Sequence, residues 1–147
     1  MRAVGGRSAV WALVTRNRIV DERDENGSLE IFLPKNDVLV TRTKGHFSAN
    51  MARAWITTID PYFRRGTVFA TFHDWDEMTA YDSAARRLLT GWLLANKSGV
   101  RTAEFLVSSR LVAMGLSAAN LATTIAGLGM VAHTARSSFE QSLTRAL

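Results

Sequence analysis

"TVFATFHDWDEMTAYDSAARRLLTGWLL", Thr67 to Leu94, decides how this chain is read. Its first part, Thr67 to Trp75, is a near-continuous apolar and β-branched run, the pattern of a central strand buried on both faces. From Tyr81 the period changes. Tyr81, Ala84, Ala85, Leu88, Leu89, Trp92 and Leu93 form one broad apolar face at helical spacing, while Arg86, Arg87 and Asn96 point elsewhere. Thr79 and Asp82 read as a capping pair at the helix start, and Lys97-Ser98-Gly99 close it. A buried strand feeding an amphipathic helix is the building unit of an α/β sheet.

The neighbouring segments extend that unit. "LEIFLP" and "DVLVTRTKG", separated by Pro34, Lys35 and Asn36, predict a hairpin over 28–45. Ser48 is a candidate N-cap for a helix whose apolar residues Met51, Trp55, Ile56 and Ile59 recur at helical spacing, and Gly66 ends it. Beyond the central unit come a strand in "VRTAEFLV" and a helix over 109–127, with a break near Gly115 and Leu116 and Ser117 as a second cap. A short strand in "GMVAHTA" and a final helix in "SSFEQSLTRAL", capped by Ser137 or Ser138, complete the chain. The order β-β-α-β-α-β-α-β-α predicts a single mixed sheet packed with helices, an α/β fold. Residues 28–147 form that domain. Residues 1–27 read as an N-terminal extension in which "AVWALVTRNRIV" offers an edge strand or an arm before the charged turn "DERDENGS".

Composition narrows the function classes. Of 147 residues, 47% are apolar and 21% charged, the balance of a globular domain with a real core. The absence of cysteine excludes disulfides, thiolate metal sites and cysteine nucleophiles, and is compatible with the expected cytoplasmic location. The charge is +5 and the pI about 10.4, yet the arginines are scattered and often sit beside acids, so nucleic acid is not an expected partner. Leu111 to Ala135 contains no Asp, Glu, Lys or Arg and is long enough to span a bilayer. Asn120, Thr123, Thr124 and the stop at Gly127 to Gly129 divide it into a helix and a strand, so a membrane partner is not expected either.

No nucleophile elbow, zincin helix, phosphate-binding loop or dinucleotide fingerprint occurs. His46 and His133 stand alone in sequence and read as packing or strand-end residues. "HDWDE", His73 to Glu77, groups an imidazole with carboxylates, but neighbours on a strand project in different directions. No metal, cofactor or catalytic residue is therefore expected, and the chain reads as a non-enzyme.

One spacing carries more. Asp74 ends the central strand, and eight residues later "YDS", Tyr81 to Ser83, opens the helix. This spacing, within this element order, resembles the STAS domain of bacterial anti-sigma factor antagonists of the SpoIIAA type and of stressosome subunits. The resemblance covers Leu29 to Leu147 and includes the ending "LVSSRLVAMGLSAANLATTIAGLGMVAHTARSSFEQSLTRAL". It implies a bacterial, cytoplasmic, non-enzymatic interaction module that binds a regulatory protein, a kinase or anti-sigma factor, or pairs with itself as a homodimer. It makes Ser83 the phosphorylation candidate, and Asp74, Trp75, Tyr81, Asp82, Ser83, Arg86 and Arg87 the partner-binding candidates. A phosphate at a helix N-terminus meets unpaired N–H groups and the positive end of the dipole. Antagonists usually follow the Asp-Ser pair with a hydroxyl residue and Gly-Leu, whereas here Ala84-Ala85-Arg86-Arg87 follows. Two other readings stay open. Small residues at Ala113, Gly115, Ala118, Ala119 and Ala122 suit an apolar-ligand or lipid cavity, and a structural homo-oligomer subunit would use the N-terminal extension.

Overall fold

A computed structural model of the chain describes residues 8–107 and 129–147. The expected hairpin is present as β2 (Gly27–Lys35) and β3 (Val38–Phe47). Helix α2 (Ala49–Arg64) follows, with Ser48 accepting the Met51 N–H at 3.2 Å as its cap and Gly66 turning the chain in a left-handed conformation. Then come β4 (Phe69–Tyr81), α3 (Ser83–Ala95), β5 (Val100–Val107), β6 (Gly129–His133) and α4 (Arg136–Ala146). The helix expected over 109–127, with its break and second cap, lies outside the described residues.

The N-terminal segment differs from its strand-like reading. Ala9–Thr15 is a helix, α1, started by the Ser8 hydroxyl, which accepts the Trp11 N–H. Val10, Trp11 and Val14 are its buried side chains, and their spacing of one and four residues matches a helix face. Packing decided here over the β propensity of valine and tryptophan. The edge strand, β1, is instead Arg18–Arg23 and takes in part of the charged stretch. Its exposed charges suit an outer strand, because they discourage pairing with another chain.

Among the described residues six strands form one mixed sheet in the order β1-β2-β3-β4-β5-β6. The β1–β2 and β2–β3 pairs are antiparallel, and every pair from β3 to β6 is parallel. Alternation along the strands sends side chains to two layers. Leu29, Ile31, Leu39, Phe69 and Met78 meet α2 and α3 on one face, around Met51, Trp55, Ile59 and Ala85. Phe32, Val38, Val40, Ala70, Phe72 and Leu106 meet α1 and α4 on the other, around Trp11, Val14, Phe139 and Leu143. No helix among the described residues is long and apolar enough to cross a membrane.

β4 does not stop at Trp75. It continues to Tyr81 because β3 remains beside it, pairing His46 with Ala80 and Phe47 with Tyr81 after two register shifts. Gly45 lies at the second shift with φ +69°, and a Cβ there would run into the Asn26 carbonyl. Gly45→Ala is expected to lower stability by at least about 2 kcal/mol, from the left-handed conformation and this contact together. A urea midpoint unchanged from wild type would contradict the strained geometry.

Candidate functional site

Two neighbouring strand ends build the site. Tyr81 on β4 pairs with Phe47 on β3, and the Asp82 N–H donates to the Phe47 carbonyl at 2.9 Å. Helices α2 and α3 therefore begin side by side. Asp82 is the backbone N-cap of α3 but makes no cap bond to its own helix. Its carboxylate turns to α2, accepting the Ala49 N–H at 3.1 Å and meeting His46 Nε2 at 2.6 Å. The capping pair expected of Thr79 and Asp82 is thus replaced by a tie between two helices. The His46 bond and the Ala49 N–H hold the Asp82 carboxyl below the usual carboxylate range.

With Asp82 drawn aside, Ser83 stands exposed in the first turn of α3, and its hydroxyl bonds to nothing among the described residues. Arg86 and Arg87 are exposed one turn further on, with no ion pair among the described residues. Tyr81 is half-buried at the same joint. Tyr81, Asp82, Ser83, Arg86 and Arg87 are therefore brought to one end of the molecule.

Asp74 and Trp75 are placed differently. Trp75 belongs to strand β4, half-buried on the α2/α3 face, where its ring lies 4.8 Å from that of Phe105. Asp74 points to the opposite face and is only 3% exposed. It accepts the Asp76 N–H at 3.1 Å and bonds Arg136 of α4 at 3.2 and 3.3 Å. The two ends of this pair respond differently. Burial pushes the Asp74 carboxyl up more than Arg136 and Arg42 pull it down. Burial also disfavours the Arg136 charge, but Asp74 and Asp76 together outweigh it and hold the guanidinium more firmly protonated. His73 and Asp74 of "HDWDE" thus face opposite sides of the sheet, as neighbours on a strand must.

Asp74 belongs to a polar belt across the α1/α4 face that the sequence did not disclose. Glu30 holds Arg18 at 3.0 Å and Arg42 at 3.6 Å, and the Arg42 guanidinium lies 4.3 Å from the Trp11 ring centre. Glu104 of β5 contacts His133 Nε2 at 2.7 Å and accepts the Ser142 hydroxyl at 2.8 Å, and His133 Nδ1 lies 2.9 Å from Ser138 Oγ. His133 is therefore not isolated. Ser138 is not the cap of α4 either, since Ala135 occupies that position. A lone carboxylate within the apolar run "VRTAEFLV" was the available signal, because a charge on a buried strand needs a partner.

No protein-family model and no curated protein matches the chain. Solved structures do. An uncharacterized protein of the DUF3478 family with a SpoIIAA-like fold, from Shewanella loihica PV-4, is 10% identical, with a TM-score of 0.53 over 86% of this chain and 94% of that one. The phosphorylated form of the Bacillus cell fate determinant SpoIIAA is 14% identical, with a TM-score of 0.51 over 78% of this chain and 98% of that one. The chain has the SpoIIAA-like, STAS-like α/β fold that the element order and the Asp-Ser spacing implied.

Proposed function

We propose that this chain is a regulatory module that binds a protein partner through the joint where α2 and α3 begin, and that phosphorylation of Ser83 controls that binding. The observation that carries the reading is the diversion of Asp82 to α2. It leaves Ser83 accessible at a helix start, its hydroxyl without a partner among the described residues, on the same exposed end as Arg86 and Arg87. A solved relative in fold is a cell fate determinant in its phosphorylated form, which supports looking for a phosphate here. A phosphoserine in the first turn of α3 would be favoured by the helix dipole and by the two arginines. The same charge would alter the docking surface and release the partner. A kinase that acts on Ser83 is itself the first partner to seek.

The test begins in the native host, with a photo-crosslinking side chain at position 87 and mass spectrometry of the purified protein. The expected result is a phosphate localised to Ser83, together with a crosslinked partner that Ser83→Ala retains. Ser83→Asp is expected to weaken that partner's affinity by about tenfold, a difference near 1.4 kcal/mol. No phosphate, with equal crosslinking by both variants, would remove the switch.

A further inference from the structure

On the sheet face away from α3, three side chains form a relay that the proposed docking role does not use. Glu104 on β5, His133 at the end of β6 and Ser138 in the first turn of α4 meet only through the fold, although Glu104 lies 29 residues from His133. The His133 and Glu104 side chains are each only 12% exposed, so their 2.7 Å contact is shielded from water. The Phe139 ring stands edge-on to the imidazole, with centroids 5.8 Å apart, and holds its plane.

This arrangement fixes the tautomer. The Glu104 carboxylate can only accept, and it already takes the Ser142 hydroxyl on its second oxygen. The neutral His133 ring must then carry its proton on Nε2 and present the Nδ1 lone pair to Ser138 Oγ at 2.9 Å. Among the described residues the Ser138 hydroxyl has one competing acceptor, the Ala135 carbonyl at 3.0 Å. A serine within reach of a base that a third group orients is the arrangement that activates a nucleophile. Ala135 caps α4 without a side-chain bond, and no side chain among the described residues takes the first-turn N–H groups beside Ser138, which can face a developing oxyanion.

We propose that Ser138 is a nucleophile, with His133 as its general base and Glu104 as the positioning residue, and that this site hydrolyses small carboxylic esters. Ser138 Oγ attacks the ester carbonyl carbon as its proton passes to His133 Nδ1. The ester C–O bond breaks, and the departing alkoxide takes that proton as the alcohol. Water then gives a proton to Nδ1 and its oxygen attacks the acyl carbon. The Oγ–C bond breaks, the free acid leaves, and Ser138 recovers its proton. Among the described residues, Thr134, Ala135 and Ser137 flank the site and are exposed, which suits short acyl groups such as acetyl.

The chain supplies its own controls, because Ser83 and Ser137 are also exposed or accessible hydroxyls. The folded protein is treated with a fluorophosphonate probe, the label is mapped on peptides, and p-nitrophenyl acetate hydrolysis is followed in parallel. Ser138 should label about 10²-fold faster than Ser137, the lower range of general-base assistance. His133→Gln should slow labelling and p-nitrophenolate release together, whereas Ser137→Ala should change neither. Equal labelling of Ser137 and Ser138 in the wild-type chain would make the relay a structural tie and overturn the proposal. Selective labelling without p-nitrophenyl acetate turnover would overturn the hydrolytic step.

Discussion

Acidification from pH 6.5 to about pH 3.5 is expected to remove about 3–4 kcal/mol of stability through one side chain, His73. His73 lies on the α2/α3 face, stacked on Phe105 at 4.7 Å, with the Trp55 and Trp75 rings 6.4 and 6.3 Å away. Its one polar contact among the described residues is Thr41 Oγ1 at 2.9 Å. Burial among these rings disfavours the imidazolium and lowers the pKa from 6.5 to about 3. The unfolded chain binds a proton at this residue below pH 6.5, while the folded chain refuses it until about pH 3. Protons therefore favour unfolding throughout that interval, and above it the residue contributes no pH dependence. Asp74 works the other way, since burial raises its pKa and the folded state keeps its proton at higher pH. His73→Phe separates the two effects, because it preserves the stack and cannot titrate. Urea unfolding at pH 6.5 and about pH 4.5 should show wild type losing about 2 kcal/mol more than the variant over that step. Parallel losses would mean that His73 takes up its proton in the fold.

Trp11→Ala is expected to destabilise the protein by about 3–5 kcal/mol, a large share of the 5–15 kcal/mol that holds a typical domain folded. Trp11 is 4% exposed and meets Phe32 edge-on at 6.3 Å, beneath the Arg42 guanidinium. Truncation opens a cavity beneath α1, removes the nearer of two cation–π contacts and leaves Arg42 with Glu30 and the more distant Phe32 ring. The indole N–H is buried without a partner among the described residues, so Trp11→Phe loses little polar bonding and should cost less than about 1.5 kcal/mol. Thermal unfolding of both variants measures the difference. A Trp11→Ala protein within about 1 kcal/mol of wild type would place α1 outside the cooperative core. The expected loss has a structural consequence: the residues read as an extension contribute to the same buried layer as Phe139 and Leu143 at the other end of the chain.

Much of the fold was legible because its signals are local. The β-branched run ending at Trp75, the helical period from Tyr81 and the Ser48 cap each depend on residues within a turn or two. The helix Ala9–Thr15 was not legible for a related reason. A short valine- and tryptophan-containing segment has no decisive local preference, and contact with Phe32, Val38 and Val40 chose the helix. The extension of β4 past Trp75 was equally hidden, since it depends on β3 lying alongside as far as Phe47.

The candidate site divides along the same line. Sequence alone determined that an Asp-Ser pair opens a helix after a central strand, that arginines follow it, and that the chain folds as an α/β sheet. Only the tertiary structure decided that Asp82 bonds His46 and Ala49 rather than its own helix, and that Asp74 turns inward to Arg136. It also brought Glu104, His133 and Ser138 into one relay. The physical reason is the range of the interactions. Periodicity, capping and turn preferences act between near neighbours, whereas a side-chain hydrogen bond selects any partner that packing delivers within about 3 Å.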